Sequence, residues 1–438
     1  MTSPVSSSRS RRLGYGRDVP GAEAYGAARV AVSTASPLAQ IAFDAPPEVR
    51  AALEAVGRTE DVRFAPSGRR LALAAYRKDR IAVADVEIRV SASGPKVAVT
   101  RLEQIASSSL REPHGLDFLD EETLVVGNRR GGVVVLRLPS AGSAESVTWV
   151  EPLCAVGEEA SDGPGSVLVE SRDPGRRAVL VCNNFTSTIT RHAVEPGWAL
   201  GAAEVVARRW IDLPDGLALS RDGRLLATSN HNSHSVLVHA YPTAGDDDDP
   251  VGVLRAVLYP HGLRFSADDR YLLVADAGRP YVRVFASPGD GWRGVGYPGA
   301  AIRVMDDETF ARGHLSPQEG GPKGIDIHPH TNVLAVTAEC LPLAFFDVDA
   351  ALDQYSAAES DDLVQYELYL LAEKDAMKAA AAEDRSQLMA KISLLRETVD
   401  RMVAKSSNLG DVQESSRSKR VTKPLRAVTA RLRHLRPR

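Results

Sequence analysis

The stretch Pro214–Tyr241, PDGLALSRDGRLLATSNHNSHSVLVHAY, decides the fold. Its first apolar run alternates by two, as a strand with one buried face does. Asp222-Gly223 follows, a hairpin signal. Two more apolar runs, LLATSN and SVLVHA, come next. The same sentence recurs as PHGLRFSADDRYLLVADAGRPYVRVFAS from Pro260 and PHGLDFLDEETLVVGNRRGGVVVLRL from Pro113. It recurs again as PKGIDIHPHTNVLAVTAECLPLAFFDV from Pro322. Weaker copies start at Thr59 (TEDVRFAPSGRRLALAAYRKDRIAVADV) and Pro164 (PGSVLVESRDPGRRAVLVCNNFTSTITRHAV). Six copies of a strand-turn-strand unit predict a six-bladed β-propeller.

A fourth strand per blade is supplied by KVAVTRL, SVTWVEPL, AEVVARRWIDL, VGVLRAVLY and AAIRVMDD, following blades 1 to 5. Blade 6 has none after Asp349, while the segment 29–43 offers a spare apolar strand upstream. The reading is an all-β propeller over 27–354, closed by that N-terminal strand, because pairing it into blade 6 removes the last open edge. Residues 1–26, opening MTSPVSSSRSRRLGYGRD, are expected to form a disordered arm. They carry positive charge without an apolar run, unlike a signal peptide, and a cytoplasmic location is expected. Cys154, Cys182 and Cys340 have neither paired nor metal-type spacing and read as buried free thiols.

The chain has 438 residues, 44% hydrophobic and 25% charged, and a formal charge of −4. From Arg417 onward there are nine Lys or Arg and no acid, so the rest is strongly acidic. Residues 355–408 lack Gly and Pro, and Leu388, Ile392, Leu395, Val399 and Met402 alternate by four and three. That spacing predicts a coiled-coil helix and self-association. Residues 409–438 contain Pro424, then Leu425, Val428, Leu432 and Leu435 on one helical face among arginines. A basic amphipathic tail suits an anionic membrane surface. Nucleic acid is disfavoured, since an apolar stripe has no role on phosphates and no aromatics are interleaved for stacking.

In a propeller, the residue before each inner strand sits at the mouth of the central channel. That position reads Glu60, His114, Gly165, Asp215, His261 and Lys323. The ends of the second strands lie at the same face: Tyr76, Asn128, Asn184, Asn230, Asp276 and Ala338, followed by His231 and Glu339 in two blades. Converging polar groups on an apolar scaffold predict a ligand site. Asn128, Asn184, Asn230, His231, Asp276, Lys323 and Glu339 are its expected ligand-binding residues. Glu60, His114, Asp215 and His261 combine two imidazoles with two carboxylates, a set that suits Zn, Mn or Fe better than Ca. Asp215 and His261 are the candidate catalytic bases, and both are expected at solvent-accessible strand starts. The six mouth residues also allow a bland reading, a wet channel in which Lys323 neutralises Glu60.

Pro-Asp-Gly at 214–216 and Pro-His-Gly at 113–115 and 260–262 resemble the strand starts of the gluconolactonase/senescence-marker-protein family. NHL-repeat and lactonase-type propellers share this cadence. The resemblance implies a divalent metal held by a Glu at the first blade and by Asn and Asp from later turns, with lactonase-type hydrolysis. Glu60 and Asp215 match in type. The Pro-Asn-Gly asparagine is absent, and the Glu-Gly-Pro start reads Glu-Asp-Val. The segment Arg420–Arg426, RVTKPLR, resembles the tails of bacterial surface-polysaccharide glycosyltransferases and implies envelope glycan assembly. The expected function is therefore a binding or scaffold propeller at the inner membrane that takes a small molecule, glycan or protein at its mouth. The alternative is a metal-dependent lactonase-type hydrolase.

Overall fold

A computed structural model describes residues 39–139, 147–157, 162–171, 177–287 and 291–353. All belong to the first of two units of the chain, Met1–Glu367, the second being Leu368–Arg438. The N-terminal arm, the coiled coil and the basic tail lie outside the described residues.

Six antiparallel sheets follow one another along the chain. Their inner strands are Thr59–Phe64, Pro113–Phe118, Pro164–Ser171, Pro214–Leu219, Pro260–Phe265 and Pro322–Ile327. Each contacts the next, and the sixth contacts the first, so the ring is closed. Closure occurs in blade 6, where Gln40–Ile41 pairs antiparallel with Leu341–Asp347, Gln40 opposite Phe346. The N-terminal strand thus supplies the missing outer edge.

Two edges depart from the sequence reading. SVTWVEPL does not form one strand. Val147–Trp149 pairs parallel with blade 1, and Pro152–Val156 completes blade 2. Blade 4 gains a fifth strand, Gly294–Gly296, parallel to Gly252–Leu254. The thiols also differ from expectation: Cys182 is buried, whereas Cys154 and Cys340 are partly exposed.

The apolar core is divided into six clusters, one in each gap between neighbouring blades. Leu71, Leu73 and Phe345 fill the gap between blades 1 and 6, where Leu53 and Val56 of the helix Pro47–Val56 also pack. Burying each such large side chain contributes about 1.5–3 kcal/mol. The glycine of the Pro-X-Gly starts has a steric reason. A Cβ at Gly262 would lie 2.7 Å from the Lys323 carbonyl oxygen of the next inner strand. Neighbouring backbones meet there, which leaves the preceding residue's side chain at the channel.

Candidate functional site

Among the six mouth residues, blade 3 contributes Gly165 and the others meet at the channel axis. His114 and His261 stack across it with ring centroids 5.2 Å apart. Glu60 Oε2 lies 3.6 Å from His114 Nε2 and 3.5 Å from His261 Nε2. Asp215 Oδ2 is 3.7 Å from His261 Nε2. Lys323 Nζ is 3.1 Å from Glu60 Oε2. The absent side chain at Gly165 leaves room for Asn184 Nδ2 to donate to Asp215 Oδ1 at 2.8 Å. Asp215 and His261 were expected to be solvent-accessible, but they are only 4% and 3% exposed.

The second-strand ends obey the strand's own alternation. Pro113 faces Asn128, Pro164 faces Asn183, Pro214 faces Asn230 and Pro260 faces Asp276. Side chains at these positions turn to loop backbone, not to the mouth. Asn128 Oδ1 accepts from Arg111 N at 2.9 Å, Asn230 Nδ2 donates to the Trp210 carbonyl at 2.6 Å, and Asp276 takes Leu258 N and Arg283. Asn128, Asn230 and Asp276, expected as ligand-binding residues, are thus engaged by the protein's own loops. One residue further on, the chain delivers Tyr76, Arg129, Asn184, His231 and Glu339 toward the mouth. Neighbouring residues in extended backbone point to opposite sides, so a one-residue offset separates loop caps from site residues.

Sequence reasoning missed three charged groups. Arg129 Nη2 lies 2.8 Å from His114 Nε2 and 3.4 Å from Asp215 Oδ1. Arg58 pairs with Glu60 and reaches Glu339 at 3.3 Å. Glu319 reaches Arg58 at 3.2 Å and Lys323 at 3.6 Å. The offset rule would have found Arg129. Arg58 and Glu319 arrive on connections outside the repeat.

His114 Nδ1 faces the Gly165 carbonyl oxygen at 2.6 Å and therefore carries the proton. Its Nε2 lone pair is left to accept from Arg129. Burial and the neighbouring Arg129 push the imidazole down to about 4, so it is neutral at pH 7. Burial also lowers His261 and His231. Burial alone would raise Glu60 and Asp215. Lys323 and Arg58 hold Glu60 well below the usual carboxylate range, and Arg129 does so for Asp215.

Ligand atoms of Glu60, His114 and His261 all lie within 4.8 Å of one another. Neutral imidazoles and an ionised carboxylate fit a Zn-, Mn- or Fe-type ion. Lys323 and Arg129 stand on two of these donors and would have to give way. Four buried atoms at this mouth make no well-directed hydrogen bond among the described residues. Asn184 Oδ1 is one; the others face only an ion-pair neighbour, Glu60 Oε2 at Lys323 (3.1 Å), His231 Nδ1 at Asp215 (3.3 Å) and Glu339 Oε2 at Arg58 (3.3 Å). A depression of about 440 Å³ opens at Tyr76 and Arg129 of the mouth, lined also by Glu112, Arg130, Asp162 and Phe185. A larger hollow, about 520 Å³, surrounds Glu170, Arg191 and Tyr241. It lacks the convergence of groups, since Glu170 is already engaged by Arg191 and the Tyr241 hydroxyl.

The fold and the six-fold ring define a β-propeller. The family model for the lipoprotein LpqB beta-propeller domain matches residues 24–174, about a third of the chain, and supports the same fold. No curated protein matches the chain. Among the described residues, no helix is long and apolar enough to cross a membrane.

Proposed function

We propose that this is a propeller-based binding and scaffold protein that takes a polar ligand at the mouth of its channel. The observation that carries the reading is the group of buried atoms on Glu60, Asn184, His231 and Glu339 that make no well-directed hydrogen bond, three of them facing only a charged neighbour. Buried polar atoms are nearly always hydrogen-bonded, so atoms left with an ion-pair neighbour alone keep capacity for a partner from outside. The ligand is a small molecule, a glycan or a protein segment. Residues 355–408 would self-associate, and the tail 409–438 would bring the particle to the inner membrane surface, in service of envelope polysaccharide assembly. The matched family's description as a lipoprotein domain supports a membrane-linked setting.

A metal-dependent lactonase-type hydrolase is the second reading, favoured by the three clustered donors Glu60, His114 and His261. A divalent ion held there would supply Lewis-acid activation. Asp215 and His261 would move the proton. Lys323 at Glu60 and Arg129 at His114 weigh against it.

Elemental analysis of the full-length chain, with glycan, lactone and ester panels, separates the two readings. The binding reading expects thermal-shift hits that Asp215→Ala and His261→Ala each weaken at least tenfold. Hits unchanged in both variants would overturn it. Stoichiometric Zn, Mn or Fe, lost with lactone hydrolysis in His114→Ala, would establish the hydrolase instead.

A further inference from the structure

The longest connection among the described residues, 304–321, joins blades 5 and 6. Its helix Asp307–Gly313 is capped by Asp306, whose Oδ1 accepts from Thr309 N at 2.7 Å. The chain then makes a closed loop, His314–Gly320. His314 Nδ1 holds the Glu319 carbonyl at 2.6 Å, and Gly320 adopts a φ of +103°. The backbone ends of the loop touch: a Cβ on Gly313 would stand 3.0 Å from Gly320 Cα. Leu315 at its tip is 75% exposed. The loop is tied to the mouth by side chains. Gln318 meets His231, and Glu319 reaches Arg58 and Lys323.

Charge explains why Glu319 is there. Three cations, Arg58, Arg77 and Lys323, face three carboxylates, Glu60, Glu319 and Glu339. Glu60 and Glu339 belong to the blades. Glu319 is the one carboxylate of the set carried by a loop, which is held at its base by the stacking of His314 on Phe310 and by the Gly321 N–H to the Ala277 carbonyl. If the loop lifts, Arg58 and Lys323, both mostly buried, are left with a net positive charge that water reaches poorly. Such a place attracts another carboxylate in the same position.

We propose that His314–Gly320 is a lid, and that the Glu319 carboxylate stands where the mouth receives the acid group of a small carboxylate ligand. This rests on the mouth being the ligand site and names the ligand's class. Binding exchanges one carboxylate for another on Arg58 and Lys323 and releases the loop. Tyr76, whose ring lies under the Arg58 guanidinium at 4.9 Å, and the exposed Phe185 then flank the ligand's remaining body.

The test uses the full-length chain, with D-glucuronate and succinate as probes and D-glucose as the neutral control. Glu319→Gln keeps the loop's shape while removing its charge. It should bind at least one of the two acids at least tenfold more tightly than wild type and leave D-glucose unchanged. Tighter glucuronate alone identifies a sugar acid, and tighter succinate alone a simple dicarboxylate. Adding Lys323→Met should abolish the gain, and amide exchange of 314–320 should speed up in Glu319→Gln and in the acid-bound wild type. Equal affinity of wild type and Glu319→Gln for both acids overturns the lid. If the acids fail but another ligand binds and is lost in Asp215→Ala, the lid inference falls and the mouth stands. If Asp215→Ala alters no binding at all, the mouth falls with it.

Discussion

Two rings of charge line the same channel, and they differ in how completely they are satisfied. One and three residues after Glu60, and three residues after His114, His261 and Lys323, the inner strands carry a second belt: Asp61, Arg63, Asp117, Arg264 and Asp326. Here each carboxylate locks one blade to the next. Asp61 Oδ2 accepts from Leu116 N at 3.0 Å, Asp117 Oδ2 from Val169 N at 2.7 Å, and Asp326 Oδ2 from Phe64 N at 2.7 Å. Arg264 donates to Asp326 at 2.7 Å, and Arg63 lies between Asp117 and Asp326. Only Arg63 Nη2 lacks a partner in this belt among the described residues. At the mouth four atoms make no well-directed hydrogen bond, and three of these face only an ion-pair neighbour. The belt spends its polar groups on the fold, while the mouth holds some of them open. Buried charge is thus no sign of function by itself, and unmet hydrogen-bonding capacity is the better guide.

The largest expected effect breaks the belt. Asp326→Ala removes the acceptor of Phe64 N and leaves Arg264 and Arg63 with less compensation, and it should cost about 3–5 kcal/mol of stability by urea denaturation. A loss below about 1 kcal/mol would place the belt in the same class as the mouth.

A smaller effect sharpens the mouth. Gly165→Ala puts a methyl group into the space held by Asn184 Oδ1 and Asp215 Oδ1. Ligand affinity should fall about tenfold, about 1.4 kcal/mol, with the urea midpoint changing less than in Asp326→Ala. Unchanged affinity would mean that the Asn184–Asp215 pair is not part of the ligand site.

The smallest effect is in pH dependence, where the two rings have opposite signs. Burial pushes Asp61, Asp117 and Asp326 each up to about 6. The folded belt binds more protons than the unfolded chain between about pH 4 and 6, so its contribution is present at low pH and is lost as pH rises through 6. His114 is pushed down to about 4. The unfolded chain therefore binds more protons between about 4 and 6.5, and this contribution is lost as pH falls. Asp117→Asn should raise stability at pH 6.5 relative to pH 4.5, and His114→Gln should do the reverse, each by about 1 kcal/mol. Urea midpoints at the two pH values read both. Shifts of the same sign in both variants would refute the contrast.

The belt was as legible in the repeat as the mouth, since Arg63, Asp117, Arg264 and Asp326 fall in one column of it. The mouth column drew attention because its residues match known ligand types. Asn128, Asn230 and Asp276 also matched in type, yet they cap loops. Chemistry of residue type gives no direction, and direction is set by strand register. The offset between Asn183 and Asn184 appears only when Pro164 is seen opposite Asn183.

The sequence by itself determined the blades, their number and the strand that closes them. Alternation, hairpin turns and Pro-X-Gly starts are local signals, repeated often enough to outweigh two degraded copies. It also determined which side chains stand at the start of each inner strand, where the structure makes each the second residue of the strand. The tertiary structure decided what those side chains meet. His114 and His261 are 147 residues apart in sequence and stack because closure of the ring puts blades 2 and 5 across one axis. Arg58 and Glu319 join Lys323 because two connections of unrelated sequence are folded over the same opening. Periodicity encodes the strands, but contacts across a closed ring depend on its geometry, which no window of the sequence contains.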